Sequence, residues 1–344
     1  MESRCGSGGC PGEWADTMTA TAARAFQVRE PGVGELVDVT LPVPSADDVL
    51  VRTHYSGISR GTERLVFNGR VPASEHERMR APFQRGDFPA PVIYGYSNVG
   101  VVEQGPTAWV GQRVFCLYPH QSVYVVPVAS VIALPSDLPP ARAVLAANME
   151  TAINALWDGA PRIGDRISVI GGGTLGCLVA ALCSRVAGTD VQLIDTDPAR
   201  ADVARALDVA FRAPADADTD RDLVFHASAT QPGLRQALAV AGNEALVLEL
   251  SWYGDTEVQL PLGAAFHARR LTLRSSQVGQ IAPAAARRRS HAERLALALD
   301  LLRDPVFDRL IDGDSAFHEL PATMAAIAAG GQGVLCHRVH YHDP

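Results

Sequence analysis

Three glycines in the pattern G-x-G-x-x-G carry the clearest chemical signal in this sequence. Gly171, Gly173 and Gly176 come directly after an apolar run, and Asp195 follows the next apolar run along the chain. Glycine at these positions permits a tight turn, lets backbone N–H groups approach a phosphate, and lets the next helix pack closely on a sheet. The spacing predicts a strand–loop–helix unit whose helix N-terminus binds the pyrophosphate of a dinucleotide. The alternative is a glycine-rich turn that binds nothing.

The acidic residue after the second apolar run indicates which dinucleotide binds. Asp195 can accept hydrogen bonds from both adenosine ribose hydroxyls and would repel a 2′-phosphate, so the sequence predicts NAD rather than NADP. Arg200 could reach the same ribose and weakens this preference. The predicted cofactor contacts also include Thr174, Leu175 and Ser251.

Composition limits the class of protein. The chain has 344 residues, of which 47% are hydrophobic and 20% charged, so two ordered domains are expected. A formal charge of −8 without a basic stripe argues against a nucleic-acid partner. No apolar run reaches the ~20 residues of a membrane span. The six cysteines lack paired metal-type spacing, so we expect a reduced cytoplasm and no metal site.

The order of apolar runs divides the chain into regions. Residues 1–17 are rich in glycine and polar residues and are predicted to be a disordered extension. Short apolar runs separated by Pro and Gly predict a partly open β-barrel over 18–145. Apolar runs alternating with helical segments predict a doubly wound parallel sheet over 146–279. Residues 280–344 are expected to return to the first domain.

This organisation resembles the medium-chain dehydrogenase/reductase superfamily, whose GroES-like catalytic domain precedes a Rossmann domain. The resemblance is carried by residues 55–63, 95–100 and 111–115 together with the glycine motif. Within the superfamily, residues 56–65 also resemble the bacteriochlorophyllide a dehydrogenases. The resemblance implies a nicotinamide-dependent oxidoreductase that acts on a small molecule, and we expect a homodimer.

The resemblance also implies that the catalytic zinc is lost. Zinc enzymes of the superfamily have a cysteine where Ser59 stands and a His-Glu pair where Tyr96 and Ser97 stand. Glu150 falls near a third ligand or an outer carboxylate position, and one carboxylate does not make a zinc site. The chain therefore belongs with a zinc-ligand-deficient branch, and its protons must be moved by side chains.

Four side chains are candidates for catalysis. Tyr96 and Ser59 stand at the vacated ligand positions, and Tyr96 is preferred as acid or base provided that a neighbour lowers its pKa; alternatively it fills the space left by the metal. His120 is a second proton carrier or a solvated loop residue. Glu150, expected just before a helix at 151–157, either orients a proton carrier or favours the helix N-terminus.

The functional prediction is an NAD(H)-dependent, zinc-independent oxidoreductase that interconverts a secondary alcohol and a ketone on a small or medium-sized metabolite. Two alternatives stay open. One is an enone or quinone reductase that acts on C=C bonds, and the other is a non-catalytic nucleotide-binding relative. The superfamily's C=C reductases mostly use NADPH, and Asp195 counts against that cofactor.

Overall fold

The computed structural model describes residues 23–330 and 334–341. The predicted extension at 1–17 lies outside these residues. Seventeen strands form three sheets within the described part of the chain. In those same ranges, no helix has both the length and the apolar character needed to cross a membrane.

The first region of the chain is mainly antiparallel strand. Its elements are β1 (Ala23–Glu30), β2 (Val33–Val39), β3 (Asp48–Ile58), α1 (Arg60–Phe67), β4 (Arg85–Gly86), β5 (Val92–Ile93), β6 (Asn98–Gln104), β7 (Arg113–Cys116), β8 (Val123–Pro127), β9 (Val131–Ala133) and the short helix α2 (Pro140–Ala143). Strands β2, β1, β5 and β4 form one sheet in that order, and β3, β6, β7, β8 and β9 belong to a second.

The middle of the chain alternates helices and parallel strands. Its elements are α3 (Ala146–Gly159), β10 (Arg166–Ile170), α4 (Thr174–Cys183), β11 (Asp190–Ile194), α5 (Arg200–Ala206), β12 (Ala210–Arg212), β13 (Arg221–His226), α6 (Gln231–Val240), β14 (Ala241–Glu249) and β15 (Thr272–Ser275). The strand order is β12-β11-β10-β13-β14-β15, with every pair parallel. The order reverses between β10 and β13, and a doubly wound sheet binds its ligand at such a switch point.

The C-terminal part returns to the antiparallel sheet. It contains α7 (His291–Leu301), β16 (Ile311–Ala316), α8 (Leu320–Ala328) and β17 (Cys336–His340). β17 pairs antiparallel with β3 and parallel with β16, so the tail extends the second sheet at its β3 edge. The predicted fold class, a GroES-like β domain with a doubly wound Rossmann sheet, is confirmed.

Three details differ from the sequence-based expectation. The strands β12 and β16 were not expected, because β12 has three residues and β16 alternates intermediate with exposed positions rather than forming an apolar run. Helix α3 begins at Ala146, so Glu150 lies inside it and not before it. Helix α7 packs against α3, beside the parallel sheet, although its range was expected to belong with the first domain.

A buried ion pair joins α7 to α3. The Arg294 guanidinium, 1% exposed, donates from Nε to Oε1 of Glu150 at 3.0 Å and from Nη1 to Oδ1 of Asn154 at 2.6 Å. Its Nη2 donates to the Val278 carbonyl at 2.6 Å. Burial raises the pKa of Glu150 above its usual value, and the charge of Arg294 opposes that shift. A charge this buried is stable only while its partner is present.

Arg294→Met should therefore destabilise the protein by about 3–5 kcal/mol, because Glu150 is left buried without its cation. Denaturant unfolding measures the change. Arg205→Met, which removes an exposed pair with Asp202 on α5, is the matched control and should cost under about 1 kcal/mol. The double variant Arg294→Met/Glu150→Leu should recover part of the loss. Equal destabilisation by Arg294→Met and the control would contradict this account.

Candidate active site

The glycine loop joins β10 to α4 as the motif predicts. Gly171 has φ +103°, a region that residues with a Cβ rarely adopt, and a Cβ on Gly176 would collide with the Gly171 carbonyl oxygen. Gly173 caps the N-terminus of α4, and no atom outside its neighbours lies within 4 Å of where its Cβ would be. Thr174 and Leu175 are half-buried in the first turn of α4. The loop leaves open space before a helix N-terminus, which suits a pyrophosphate.

Asp195 lies at the carboxyl end of β11 with its carboxylate fixed by the backbone. Oδ2 accepts the Gly172 N–H at 2.5 Å and Oδ1 accepts the Asp197 N–H at 2.8 Å. Arg200 is 7% exposed and lies against the same loop, with Cγ 3.2 Å from where a Gly172 Cβ would be. The structure thus brings Asp195 and Arg200 together on the β11 side of the switch point, where the sequence predicted the adenosine ribose.

Ser251 follows β14 at the same edge of the parallel sheet. Its hydroxyl accepts the Ala229 N–H at 3.0 Å and its own N–H donates to Oε1 of Glu249 at 2.7 Å. Ser251 is therefore tied to the loop after β13, on the other side of the switch point from Asp195.

Tyr96 lies where the core of the first region meets the core around the parallel sheet, and it packs against both. The side chains of Ser59 and Thr62 hydrogen-bond its hydroxyl. Burial raises the pKa of Tyr96 above its usual value, the charge of Glu63 raises it further, and these hydrogen bonds oppose the shift. The lowered pKa that would suit Tyr96 as a base is not found: its pKa is raised, which favours the protonated phenol as a hydrogen-bond donor.

Ser59 is the residue before α1, and its neighbours fix it in place. Its N–H donates to Oε1 of Glu63 at 2.7 Å, one turn further along the helix. Its hydroxyl lies 3.4 Å from Oδ1 of Asn148 on α3. Ser59 therefore lies beside Tyr96 and contacts both α1 of the first region and α3.

His120 is not a solvated loop residue, because its side chain is only 1% exposed. Nε2 lies 2.8 Å from Oε2 of Glu63, and Nδ1 lies 2.7 Å from the Ser56 hydroxyl, which lies 3.0 Å from the Tyr341 hydroxyl. A carboxylate can only accept, so Nε2 carries a hydrogen, and Nδ1 shares a hydrogen bond with the Ser56 hydroxyl. Both ring nitrogens are occupied, and His120 can influence Tyr96 only through Glu63.

Glu150 does not join this group. Its carboxylate is taken by Arg294, and the α3 residue that contacts Ser59 is Asn148, two positions earlier. The sequence placed Glu150 at the helix start, where a carboxylate would face the cleft. The true start at Ala146 turns Glu150 toward α7 instead.

Two contacts close the first region over the carboxyl edge of the parallel sheet. Arg60, the first residue of α1, interacts electrostatically with Arg200 and Asp195, and burial lowers the pKa of its guanidinium. Arg70 donates from Nε to Oδ1 of Asp255 at 2.9 Å, in the segment that follows β14. The start of α1, with Ser59 and Arg60, therefore lies near Asp195 at this edge of the parallel sheet.

The side chains at the family's zinc position do not suit zinc. A serine hydroxyl and a protonated phenol are poor ligands for an ion that prefers thiolate, imidazole and carboxylate. Over 23–330 and 334–341, no three His, Cys, Asp or Glu side chains come together as a metal site would require. No catalytic step through a metal is derived from this site.

Several polar residues of the cleft escaped the sequence analysis. Ser56, Thr62 and Glu63 lie within the family phrase at 55–63 without a role assigned to them, and Tyr341 belongs to no motif. The pair His226 and Glu249 lies at the ends of β13 and β14. A signal for His226 and Glu249 exists in the sequence: each is a titratable residue at or near the end of an apolar run predicted to be a parallel strand.

Comparisons with known proteins agree with this architecture. No family model matches the chain. A 2-desacetyl-2-hydroxyethyl bacteriochlorophyllide A dehydrogenase of Rhodobacter capsulatus is 30% identical over 285 residues, which cover 78% of this chain and 83% of that protein. A zinc-binding dehydrogenase of Sinorhizobium meliloti 1021, solved with NADP, superposes with a TM-score of 0.74 at 18% identity, covering 93% of this chain and 99% of that chain.

An alcohol dehydrogenase of E. coli CFT073, solved with NADH, also superposes with a TM-score of 0.74, at 16% identity, over 93% of this chain and all of that chain. Structural likeness at this identity concerns the fold alone. The identity and coverage of the Rhodobacter relative go further, and they agree with the glycine loop and the cleft. The chain belongs to the medium-chain dehydrogenase/reductase superfamily of nicotinamide-dependent oxidoreductases.

Proposed function

We propose that this protein is an NAD(H)-dependent oxidoreductase that interconverts a secondary alcohol and a ketone on a small or medium-sized metabolite, without zinc. The observation that carries the proposal is the placement of the Tyr96 side chain between the two cores, beside Ser59 and Thr62, where the resemblance puts a zinc ligand. The name of the Rhodobacter relative, a dehydrogenase of a hydroxyethyl-bearing pigment, supports alcohol chemistry.

The cofactor supplies or accepts the hydride when it is bound. In ketone reduction, negative charge develops on the carbonyl oxygen, and Tyr96 donates a hydrogen bond and then a proton to it. Ser59 and Thr62 hold the phenol in position and are themselves partly exposed, so they connect it to solvent. Burial and Glu63 both disfavour the phenolate. In the free enzyme, Tyr96 therefore carries the proton that ketone reduction requires.

Glu63 and His120 act on this site as positioning residues. Glu63 binds the N–H of Ser59 and so fixes the start of α1. His120 donates to the other oxygen of Glu63, and Ser56 holds the far side of the ring. These hydrogen bonds keep the buried carboxylate of Glu63 near the Tyr96 hydroxyl. The negative charge of Glu63 helps to keep the proton on the phenol.

NAD(H) is the proposed cofactor because Asp195 presents a carboxylate whose two oxygens are already fixed by backbone N–H groups. A 2′-phosphate would meet that fixed negative charge. Arg200 and Arg60 lie close enough to reduce the repulsion, so the preference is expected to be moderate. Solved neighbours hold NADP in one case and NADH in another, and they do not decide between the two.

NADH should bind more tightly than NADPH, because of the charge on Asp195, and Asp195→Ser should narrow the gap. Fluorescence titration of both cofactors measures the two dissociation constants. Asp202→Ser removes an exposed carboxylate from the same domain and is the control, which should leave the gap unchanged. Equal or tighter binding of NADPH by the unaltered protein would refute the assignment.

Chelation should leave the activity intact. Because Ser59 and Tyr96 are poor zinc ligands and Glu150 is committed to Arg294, we expect far less than one zinc per chain by elemental analysis after EDTA treatment. A zinc-dependent dehydrogenase treated in parallel provides the control for chelation. Stoichiometric zinc that EDTA removes together with activity would overturn the prediction.

Tyr96→Phe should lower turnover by about two to four orders of magnitude, the usual weight of general acid–base catalysis, while cofactor affinity stays nearly unchanged. The substrate for the assay comes from a screen of ketones, alcohols and enones with both cofactors. Tyr118→Phe removes a hydroxyl from a buried tyrosine elsewhere in the barrel and should keep wild-type turnover.

Two results would count against the proposal. Wild-type turnover by Tyr96→Phe would make the tyrosine a space-filling residue. Turnover in the screen with enones but with no alcohol or ketone would replace the proposed reaction by reduction of C=C bonds.

A further inference from the structure

A second buried histidine–glutamate pair lies at the carboxyl edge of the parallel sheet. His226 is the last residue of β13 and is completely buried, and its Nδ1 lies 2.8 Å from Oε2 of Glu249, the last residue of β14. Its Nε2 lies 2.6 Å from the hydroxyl of Ser228. Neither residue packs in the core of the first region or contacts Tyr96.

The other hydrogen bonds of Glu249 are ones that a carboxylate accepts. Oε1 accepts the N–H of Ser251 at 2.7 Å, and Oε2 accepts the hydroxyl of Tyr253 at 3.0 Å. Burial and the charge of Glu249 raise the pKa of Tyr253, so this tyrosine remains a donor. Because the carboxylate only accepts, Nδ1 of His226 carries a hydrogen. With His226 neutral, the pair has a net charge of −1, and with His226 protonated it has none.

Other charges near His226 are few. β10 presents the apolar Ile170 opposite His226 in the sheet, and α6 presents Gly233. Arg235 of α6 donates to the carbonyl of Gln259 and does not compensate the pair. Glu249 and Tyr253 are the titratable groups that face the imidazole among these elements. The charge of the pair therefore depends on the proton of His226.

The position of the pair places it under one half of the dinucleotide. A Cβ on Gly171 would lie 2.7 Å from the backbone N of Ser228, so the loop after β13 lines the crevice beside the pyrophosphate loop. A doubly wound sheet binds the two mononucleotides on either side of its switch point. Asp195 marks the adenosine side, on β11. The β13–β14 side, with His226 and Glu249, is left for the nicotinamide half.

Oxidised nicotinamide carries a positive charge that reduced nicotinamide lacks. We propose that the His226–Glu249 pair selects between these two forms: it favours the oxidised cofactor while His226 is neutral and loses the preference when His226 takes up a proton. By reciprocity, binding of the oxidised cofactor expels a proton from His226. The inference rests on the proposed function only in that the crevice binds a nicotinamide dinucleotide.

The test is the ratio of the dissociation constants of NADH and NAD⁺, measured by titration between about pH 5.5 and 8, where imidazoles titrate. The ratio should shift toward NAD⁺ by roughly one order of magnitude as the pH rises, as expected for one unit charge at about 10 Å in a protein-like dielectric. At high pH, Glu249→Gln should shift this ratio toward NADH by a similar factor relative to the wild type. The ratio of this variant should also depend less on pH.

Two further variants make the result specific. Glu244→Gln removes an exposed carboxylate from the opposite end of β14 and should leave the ratio as in the wild type. His226→Gln removes the titrating group and should give a ratio that favours NAD⁺ at every pH. If Glu249→Gln does not fold, the pH profile of the wild type and of His226→Gln still decides the question.

A flat wild-type ratio, or equal ratios in Glu249→Gln and Glu244→Gln, would overturn the inference. Failure of the proposed cofactor has a different signature. If the protein binds NADP⁺ and NADPH and not NAD(H), the cofactor proposal fails. The inference is then tested by the ratio of the dissociation constants of NADPH and NADP⁺. These two cofactors also differ by the positive charge of the oxidised nicotinamide.

Discussion

The carboxylate of Glu63 is the interaction on which the candidate site depends. It is 3% exposed, yet it binds the N–H of Ser59 with one oxygen and the imidazole of His120 with the other. A buried carboxylate is tolerated only when its hydrogen bonds are complete. Here those bonds join the start of α1 to the loop after β7, and both elements border Tyr96. The geometry of the site therefore follows from satisfying one buried charge.

Burial, and after it the charge of the same carboxylate, favours the protonated form of Tyr96. In a zinc-dependent relative the cation polarises the substrate oxygen, and a positive centre favours anions near it. In this chain burial and the charge of Glu63 both raise the pKa of the phenol, which favours its protonated, donating form. At the opposite wall of the cleft, Arg60 and Arg200 lie by the glycine loop, where phosphates need positive charge. Glu63 thus brings negative charge to Tyr96, whereas Arg60 and Arg200 bring positive charge to the side of the site where the glycine loop and Asp195 lie.

The parallel sheet and the glycine loop could be predicted because their signals are local. Apolar runs at regular intervals, G-x-G-x-x-G and Asp195 lie within one βαβ unit, and the structure has them in the expected order. The proton network could not be predicted, because Glu63 and His120 are 57 residues apart and meet only after β3 and β7 join one sheet. Glu63 and His120 belong to no periodic pattern in the sequence. A pattern of apolar residues also does not indicate which polar residues are buried.

Glu150 illustrates a different limit. On α3, Asn148 contacts Ser59, whereas Glu150, two positions later, faces α7, because two residues turn a helix by about 200°. The partner that holds Glu150 is Arg294, 144 residues later, and nothing near either residue in the sequence indicates the pair. Which residues of α3 reach the site therefore depends on the face that the helix turns toward its neighbours, and the composition of the helix does not show that face.

The central claim is that the proton of Tyr96 goes to the substrate oxygen without a metal. The most direct measurement replaces Tyr96 by 3,5-difluorotyrosine, which lowers the phenol pKa with little change in shape, and follows ketone reduction by the EDTA-treated enzyme across alkaline pH. The account predicts that the alkaline loss of activity moves to lower pH in the fluorinated protein. An alkaline limb that stays at the same pH in both proteins would contradict it.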